Sequence, residues 1–304
     1  MTYSSGGLIQ AADYNDRANN LNSYWGTGSG SNGYGQSTTL STVSAADTVS
    51  ATNWATMIAR LDSLRNHQSG TTSGITQPTA GGVITYLSAI DTQLATITTN
   101  KLLANTRGSN TLLGNPQMTN ATTWQTTATK EYYTTVGSSA NTVRWYFNAG
   151  GLLYCYLTLT GGGTTKATDW NTFLINTVGT IIIGSNFCSR SGTGGDNLTQ
   201  NTGVGFHNLT TTYQTLFNIG STSATADYGL NSCLIEAKLG GAIGAASSNL
   251  VYIKFTLTDA AADSFNDTII GTVNLFSGYT PPEVVNLTNT WGTPTATTVT
   301  NTQS

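Results

Sequence analysis

The chain has 304 residues, of which only 8 % are charged, with 11 Lys+Arg against 14 Asp+Glu and a formal net charge of −3. An ordinary soluble domain carries about 25 % charged residues, so the basic stripe that nucleic-acid binding needs is not available here. Hydrophobic residues make up 38 %, too many for a disordered chain of such small net charge, and a folded β protein with a hydroxyl- and amide-covered surface is expected.

Residues 1–10 have neither the basic start nor the apolar run of an export signal. The most apolar stretch, residues 239–255, is broken by Gly, Ser, Asn and Lys, so no membrane insertion is expected. Cys155, Cys188 and Cys233 form no CxxC and are odd in number. They are expected to be small buried hydrophobes rather than a disulfide framework.

Residues 1–69 read as a helical region. Two amphipathic segments, about 11–25 and 51–66, flank a glycine-rich loop. Ile9-Gln-Ala-Ala-Asp-Tyr14 aligns with Val49-Ser-Ala-Thr-Asn-Trp54 at an offset of 40, and the match runs on to Leu21 opposite Leu61 and Asn22 opposite Asp62. Each copy places a β-branched residue before the helix start and an aromatic one turn inside, a staple followed by a core-facing ring. Two unrelated amphipathic helices would align about as well. The loop between them, Trp25-Gly-Thr-Gly-Ser-Gly-Ser-Asn-Gly-Tyr-Gly-Gln36, lacks the lysine and the preceding strand of a phosphate cradle. It is expected to be a flexible connector anchored by Trp25 and Tyr34.

Residues 70–104 comprise a linker, 70–82, and a short helix. Val83, Leu87, Ile90, Leu94 and Ile97 are spaced 4-3-4-3, a seam of about two heptads. So narrow a strip pairs with identical helices, and its β-branched members favour more than two strands. These five residues are the candidate oligomerisation seam of a homotrimer, with packing on the chain's own domain as the alternative.

Residues 105–280 switch to period-two alternation. Val143, Trp145 and Phe147 alternate with Arg144 and Tyr146, an Asn-Ala-Gly-Gly turn follows, and Leu153, Cys155, Leu157 and Leu159 alternate with Tyr154 and Tyr156. This pattern predicts a hairpin. Further strands are expected at 179–184, 203–209, 213–219, 233–239, 250–257 and 268–276. A short helix capped by Thr168 would place Trp170, Phe173, Leu174 and Thr177 on one face. The expected fold class is mainly β with a helical N-terminal region and a C-terminal antiparallel β-sandwich, jelly-roll-like. Residues 281–304, rich in Thr, Asn and Pro, are expected to form a tail that is extended or pinned to a neighbouring subunit.

The inventory for catalysis is thin. His67 closes the second helix, where a histidine complements the dipole, and equivalent His67 side chains meeting on a symmetry axis are the one metal arrangement open to it. His207, after Phe206, reads as a satisfied polar or core residue. Glycosidic cleavage needs two carboxylates, and Glu131, Glu236 and Glu283 are the glutamates available. Asp259, Asp263 and Asp267 are spaced by four without the alternation of a calcium loop and read as a solvated loop. There is no nucleophile elbow. No catalytic, cofactor-binding or metal residue is therefore expected. Tyr154, Tyr156, Tyr213 and Tyr228 are candidate ligand contacts, because exposed tyrosines on a sandwich stack on sugar rings at low entropic cost. Half-buried packing is the plainer reading of each.

Ile9-Gln-Ala-Ala-Asp-Tyr-Asn15, Trp25-Gly-Thr-Gly-Ser-Gly, Gly33-Tyr-Gly-Gln36, Val49-Ser-Ala-Thr-Asn-Trp54 and, later, Tyr146-Phe-Asn-Ala-Gly-Gly151 with Trp170 and Gly179-Thr-Ile form a pattern. It resembles virion structural proteins of tailed bacteriophages, particularly contractile-tailed phages of cyanobacteria and other aquatic bacteria. The likeness covers residues 8–66 and 143–183 and brings no catalytic residues with it. It implies a non-enzymatic virion component, assembled in the host cytoplasm and released by lysis. Such a chain would dock by its N-terminal region, with Tyr14, Trp25, Tyr34 and Trp54 as candidate docking residues, and would present the sandwich. A tail or neck fibre or appendage is the leading expectation. A receptor-recognition module for carbohydrate and a capsid decoration protein are the alternatives, with a glycan depolymerase more remote. The expected partners are copies of itself and other virion proteins, a host-surface glycan being the ligand of the alternative.

Overall fold

The computed structural model describes residues 10–45, 47–79, 86–114, 116, 118–221, 231–260 and 268–304. The chain divides into two compact units. The first comprises Met1–Gly108, Arg144–Gly150 and Pro282–Trp291, and the second Ser109–Val143, Gly151–Pro281 and Gly292–Ser304. The division differs from the expected 1–69, 70–104, 105–280 and 281–304. The short helix joins the helices before it, and the C-terminal segment is shared between the units.

In the first unit, α1 (Ala11–Trp25), α2 (Ala51–Ser69) and α3 (Leu87–Thr99) pack pairwise. The two helix starts that match in sequence also match in structure. The Gln10 N–H donates to Asp13 Oδ2 at 2.9 Å, and the Ser50 N–H donates to Asn53 Oδ1 at 2.9 Å while the Asn53 N–H donates to Ser50 Oγ at 3.2 Å. The matched rings of Tyr14 and Trp54 meet edge to face at 5.2 Å. Asn15 and Asn22 each clamp the backbone of the returning chain: Asn15 bonds both the N–H and the C=O of Val43, and Asn22 those of Leu40. α2 ends on Gly70 at φ +70°, the left-handed cap that glycine takes without steric penalty.

These contacts correct two expectations. Leu87, Ile90, Leu94 and Ile97 are all buried, on a helix that packs on α1 and α2 of its own chain. The apolar strip is thus covered inside the protomer and is not free to form a seam with other copies; Val83 lies outside the described residues. Tyr14, Trp25, Tyr34 and Trp54 form the unit's core, the most open of them, Trp25, being 4 % exposed. None of the four offers a docking surface.

The glycine-rich loop is ordered rather than a free connector. α4 (Ala140–Asn148), a helix where a strand was expected, supplies Arg144 and Asn148 to this unit. The Arg144 guanidinium donates to the carbonyls of Thr27 at 2.6 Å, Gly28 at 3.3 Å and Gly30 at 3.4 Å, and to that of Asn32. Asn148 Nδ2 donates to the Gly33 carbonyl at 3.0 Å. The loop therefore turns its carbonyls inward onto a cation, the opposite polarity to a phosphate cradle, whose N–H groups converge. Gly28 and Gly33 have positive φ, and a Cβ on them would sit 2.4 Å and 2.3 Å from the Asn32 and Thr27 carbonyl oxygens.

The second unit is a β-sandwich. Its strands are β1 (Thr111–Leu112), β2 (Met118–Asn120), β3 (Thr127–Thr135), β4 (Leu152–Thr160), β5 (Ile181–Ile183), β6 (Cys188–Arg190), β7 (Asp196–Gln200), β8 (Gln214–Gly220), β9 (Ser232–Leu239), β10 (Leu250–Thr258), β11 (Thr272–Thr280) and β12 (Thr295–Gln303). One six-stranded antiparallel sheet runs β1-β11-β4-β5-β6, with β2 also on β11, and the other runs β12-β3-β10-β9-β8-β7. Alternation sends Leu153, Cys155, Leu157 and Leu159 of β4 inward, and likewise Cys233, Ile235 and Ala237 of β9 and Val251, Ile253 and Phe255 of β10. Tyr132 of β3 hydrogen-bonds Cys155 of β4, so the two inner faces meet. Burial pushes the Cys155 thiol up to about 12 and the Cys188 thiol up to about 11, and all three cysteines are free and buried.

Several elements depart from expectation. Residues 203–209 hold a 3₁₀ turn, Phe206–Asn208, in place of a strand. The short helix α5 (Thr165–Thr172) is capped by Thr164, four residues earlier than Thr168, and continues into a π-helical turn, Phe173–Val178. The C-terminal tail is no loose extension: β12 pairs along the whole of β3. Asp259 is not solvated. It is buried against Lys166 at 2.7 Å, and the Asn231 amide, oriented to satisfy both neighbours, donates to Asp259 Oδ1 and accepts from Trp170 Nε1. Asp263 and Asp267 lie outside the described residues.

Candidate binding site

The outer face of the first sheet carries a groove. With Leu153, Cys155, Leu157 and Leu159 turned inward, Leu152, Tyr154, Tyr156 and Thr158 must point outward. The register sets Phe276 of β11 opposite Tyr156, and Gly278 and Ile182 on either side of Tyr154. The Tyr156 and Phe276 rings stack with centroids 4.7 Å apart and planes 8° apart, a cross-strand aromatic pair. Gly278 is required by close approach, since a Cβ there would lie 2.3 Å from the Tyr154 ring.

The groove has a volume of about 340 Å³ and is lined by Asn110, Leu152, Tyr154, Tyr156, Thr180, Ile182 and Thr280. A second hollow of about 230 Å³ shares Tyr156 and Thr180 with it and runs on past Leu174, Ile175 and Ser191. The π-helical turn shapes this end and leaves Ile175 49 % exposed; such turns recur at functional sites. The Thr180 N–H donates to Ser191 Oγ at 2.9 Å, and Thr280 Oγ1 donates to Asn110 Oδ1 at 2.7 Å. No lining residue carries a charge. Burial, and then the neighbouring Tyr156 and Tyr279, push the Tyr154 phenol above its ordinary value, so it stays a neutral donor. A flat apolar floor with amide and hydroxyl groups at the rim suits an uncharged ring that has one apolar face and polar edges.

Of the four tyrosines singled out in the sequence, Tyr154 and Tyr156 thus sit side by side in this groove. Tyr213 lies on the outer face of the other sheet, and Tyr228 lies outside the described residues. The Tyr213 ring covers the ammonium groups of Lys254 at 4.1 Å and Lys238 at 4.3 Å, and its hydroxyl donates to Glu131. Burial first, then the bond to Glu131, pushes its phenol upward. Cross-strand register lines up Glu131, Lys254 and Glu236, with Lys254 Nζ 2.7 Å from Glu236 Oε2. The two glutamates therefore stand two strands apart, their backbones roughly 10 Å apart across the sheet, with Lys254 between them.

His67 is fully buried, which removes it as a ligand on a symmetry axis. Its Nδ1 lies 3.0 Å from Glu283 Oε1. Burial alone would push the Glu283 carboxyl up. Hydrogen bonds from His67, the Asn286 side chain and the N–H groups of Asn286 and Val285 outweigh it and pull the carboxyl down to about 2. Among the described residues no three His, Cys, Asp or Glu side chains gather as a metal set, and no helix is long and apolar enough to cross a membrane.

Phe276, Ile182, Asn110 and Thr280 escaped the sequence reading. Ile182 and Thr280 join the groove through strand pairing and Asn110 through its bond to Thr280, while Phe276 lies beside it, stacked on Tyr156; the outward alternation of Asn274, Phe276 and Gly278 was the signal for Phe276. No family model, curated protein or solved structure matches the chain.

Proposed function

We propose that the chain is a non-enzymatic structural component of a phage virion, an appendage-type protein whose β-sandwich binds a neutral glycan over Tyr154 and Tyr156. The virion assignment rests on the short motifs of residues 8–66 and 143–183 and on a surface with few charges, which suits a subunit buried among neighbours. The glycan assignment rests on one observation: an uncharged groove floored by Tyr154, Tyr156 and Ile182 and rimmed by Asn110, Thr180 and Thr280. Self-assembly, with a homotrimer as the expected state, remains part of the proposal, but it must use a surface other than the α3 strip.

The test is binding of neutral oligosaccharides to the purified chain and to Tyr156→Ala. Stacking of a nucleobase on an aromatic side chain contributes about 1–3 kcal/mol; taking the same scale for a sugar ring on Tyr156, the variant should bind roughly ten- to a hundredfold more weakly at unchanged fold. Equal binding by the two proteins would remove the groove from the proposal.

A further inference from the structure

Lys130 lies on the inward face of β3 and is fully buried. Among the described residues no ion pair reaches its ammonium. Its Nζ contacts Asn301 Oδ1, and the register makes Asn301 of β12 its direct cross-strand partner. Asn301 Nδ2 in turn donates to the Thr119 carbonyl at 3.0 Å, which fixes the plane of the amide. A buried ammonium with only an amide for company is costly. Burial brings the Lys130 pKa down to about 8, so a usable fraction of free amine exists near neutral pH.

We propose that Lys130 and Asn301 join in an intramolecular isopeptide bond. The lone pair of the neutral Nζ adds to Cγ of Asn301, the Cγ–Nδ2 bond breaks, and the proton lost from Nζ leaves with Nδ2 as ammonia. One C–N bond forms and one breaks, with no oxidant or cofactor. The product abolishes the buried charge and keeps one donor and one acceptor in place. It also answers a mechanical need. β12 is an edge strand with much of its length exposed, so apolar burial holds it weakly, and the three cysteines are free, so no disulfide ties it down. Among the described residues no carboxyl group hydrogen-bonds this amide, so closure is expected to be slow and to advance with time after folding.

The experiment is intact mass spectrometry of the denatured full chain after prolonged incubation near pH 8, followed by tryptic mapping. The proposal expects a mass lower than that of the sequence by one ammonia, no cleavage after Lys130, and a branched peptide joining the Lys130 and Asn301 segments. Lys130→Met and Asn301→Ala should each restore the full mass. A chain that keeps its full mass overturns the proposal. So does a loss of ammonia with Lys130 still cleaved, which places the loss in a succinimide elsewhere. The wild-type peptide map decides even if a variant fails to fold.

Discussion

Replacing Arg144 with Met keeps most of the side-chain volume and removes the guanidinium. The residue is 5 % exposed, and its terminal nitrogens reach the carbonyls of Thr27, Gly28, Gly30 and Asn32. The two closest bonds, to Thr27 and Asn32, are charge-assisted; at about 1.5–3 kcal/mol each, their loss destabilises the helical unit by about 3–6 kcal/mol. The loop has little room to rescue its freed carbonyls, because Gly28 and Gly33 already abut backbone atoms across it. Urea unfolding with hydrogen-exchange readout measures the effect. The amides of Tyr34, Gly35 and Gln36, which bond the carbonyls of Tyr24, Gly26 and Trp25, should lose protection first, while the amides of β9 and β10 keep theirs. Arg144→Lys, with the charge but not the fork, should fall between wild type and Met. A loss below about 1 kcal/mol, the scale of an ordinary surface change, with loop protection intact, would refute the carbonyl cage as what orders the loop.

Other perturbations separate the remaining claims. Leu94→Asp puts a charge among the buried side chains of the three-helix bundle, where Leu94 is 3 % exposed; it should cost more than about 4 kcal/mol and melt helical circular dichroism, whereas a seam between copies would lose only solution mass. Gly278→Ala should abolish glycan binding, because its Cβ would meet the Tyr154 ring at 2.3 Å and the Thr111 carbonyl oxygen at 2.6 Å, so that the ring and β1 must both shift; unchanged binding by the folded variant would place the ligand elsewhere. The Glu283 carboxyl is held at about 2, below its ordinary 4.5. Its contribution is therefore complete above the unfolded value and is lost as pH falls through that window. His67→Gln, by weakening the stabilisation of the carboxylate, should move the acid unfolding midpoint to higher pH; an unmoved midpoint would show that the pair does not govern acid stability.

Much of the helical unit was legible because its signals are local. The caps at Gln10 and Ser50 and the faces of α1 and α2 repeat at one spacing, and the matched rings of Tyr14 and Trp54 do meet. What the pattern could not supply is the partner. The 4-3-4-3 strip of α3 fits its own bundle as well as it fits a trimer. Residues 143–147 misled for another reason: in so short a window, alternation and helical spacing coincide. Val143, Tyr146 and Phe147 are one buried helical face, and Arg144 and Asn148, one turn apart, both reach the glycine loop. β12 was missed because its inner positions, Ala296, Thr298, Asn301 and Gln303, carry no large apolar side chain; the run of β-branched threonines was the available cue. In the groove, Tyr154 and Tyr156 followed from alternation in β4, but Ile182 arrives through register alone, as does Phe276 stacked on Tyr156 beside it.

The most direct test of the account is a glycan array probed with the wild-type chain and with Tyr156→Ala. The account predicts binding to neutral sugars by the wild type, lost or sharply weakened in the variant. A wild-type signal that is flat across all sugars, or one that survives Tyr156→Ala unchanged, would contradict it.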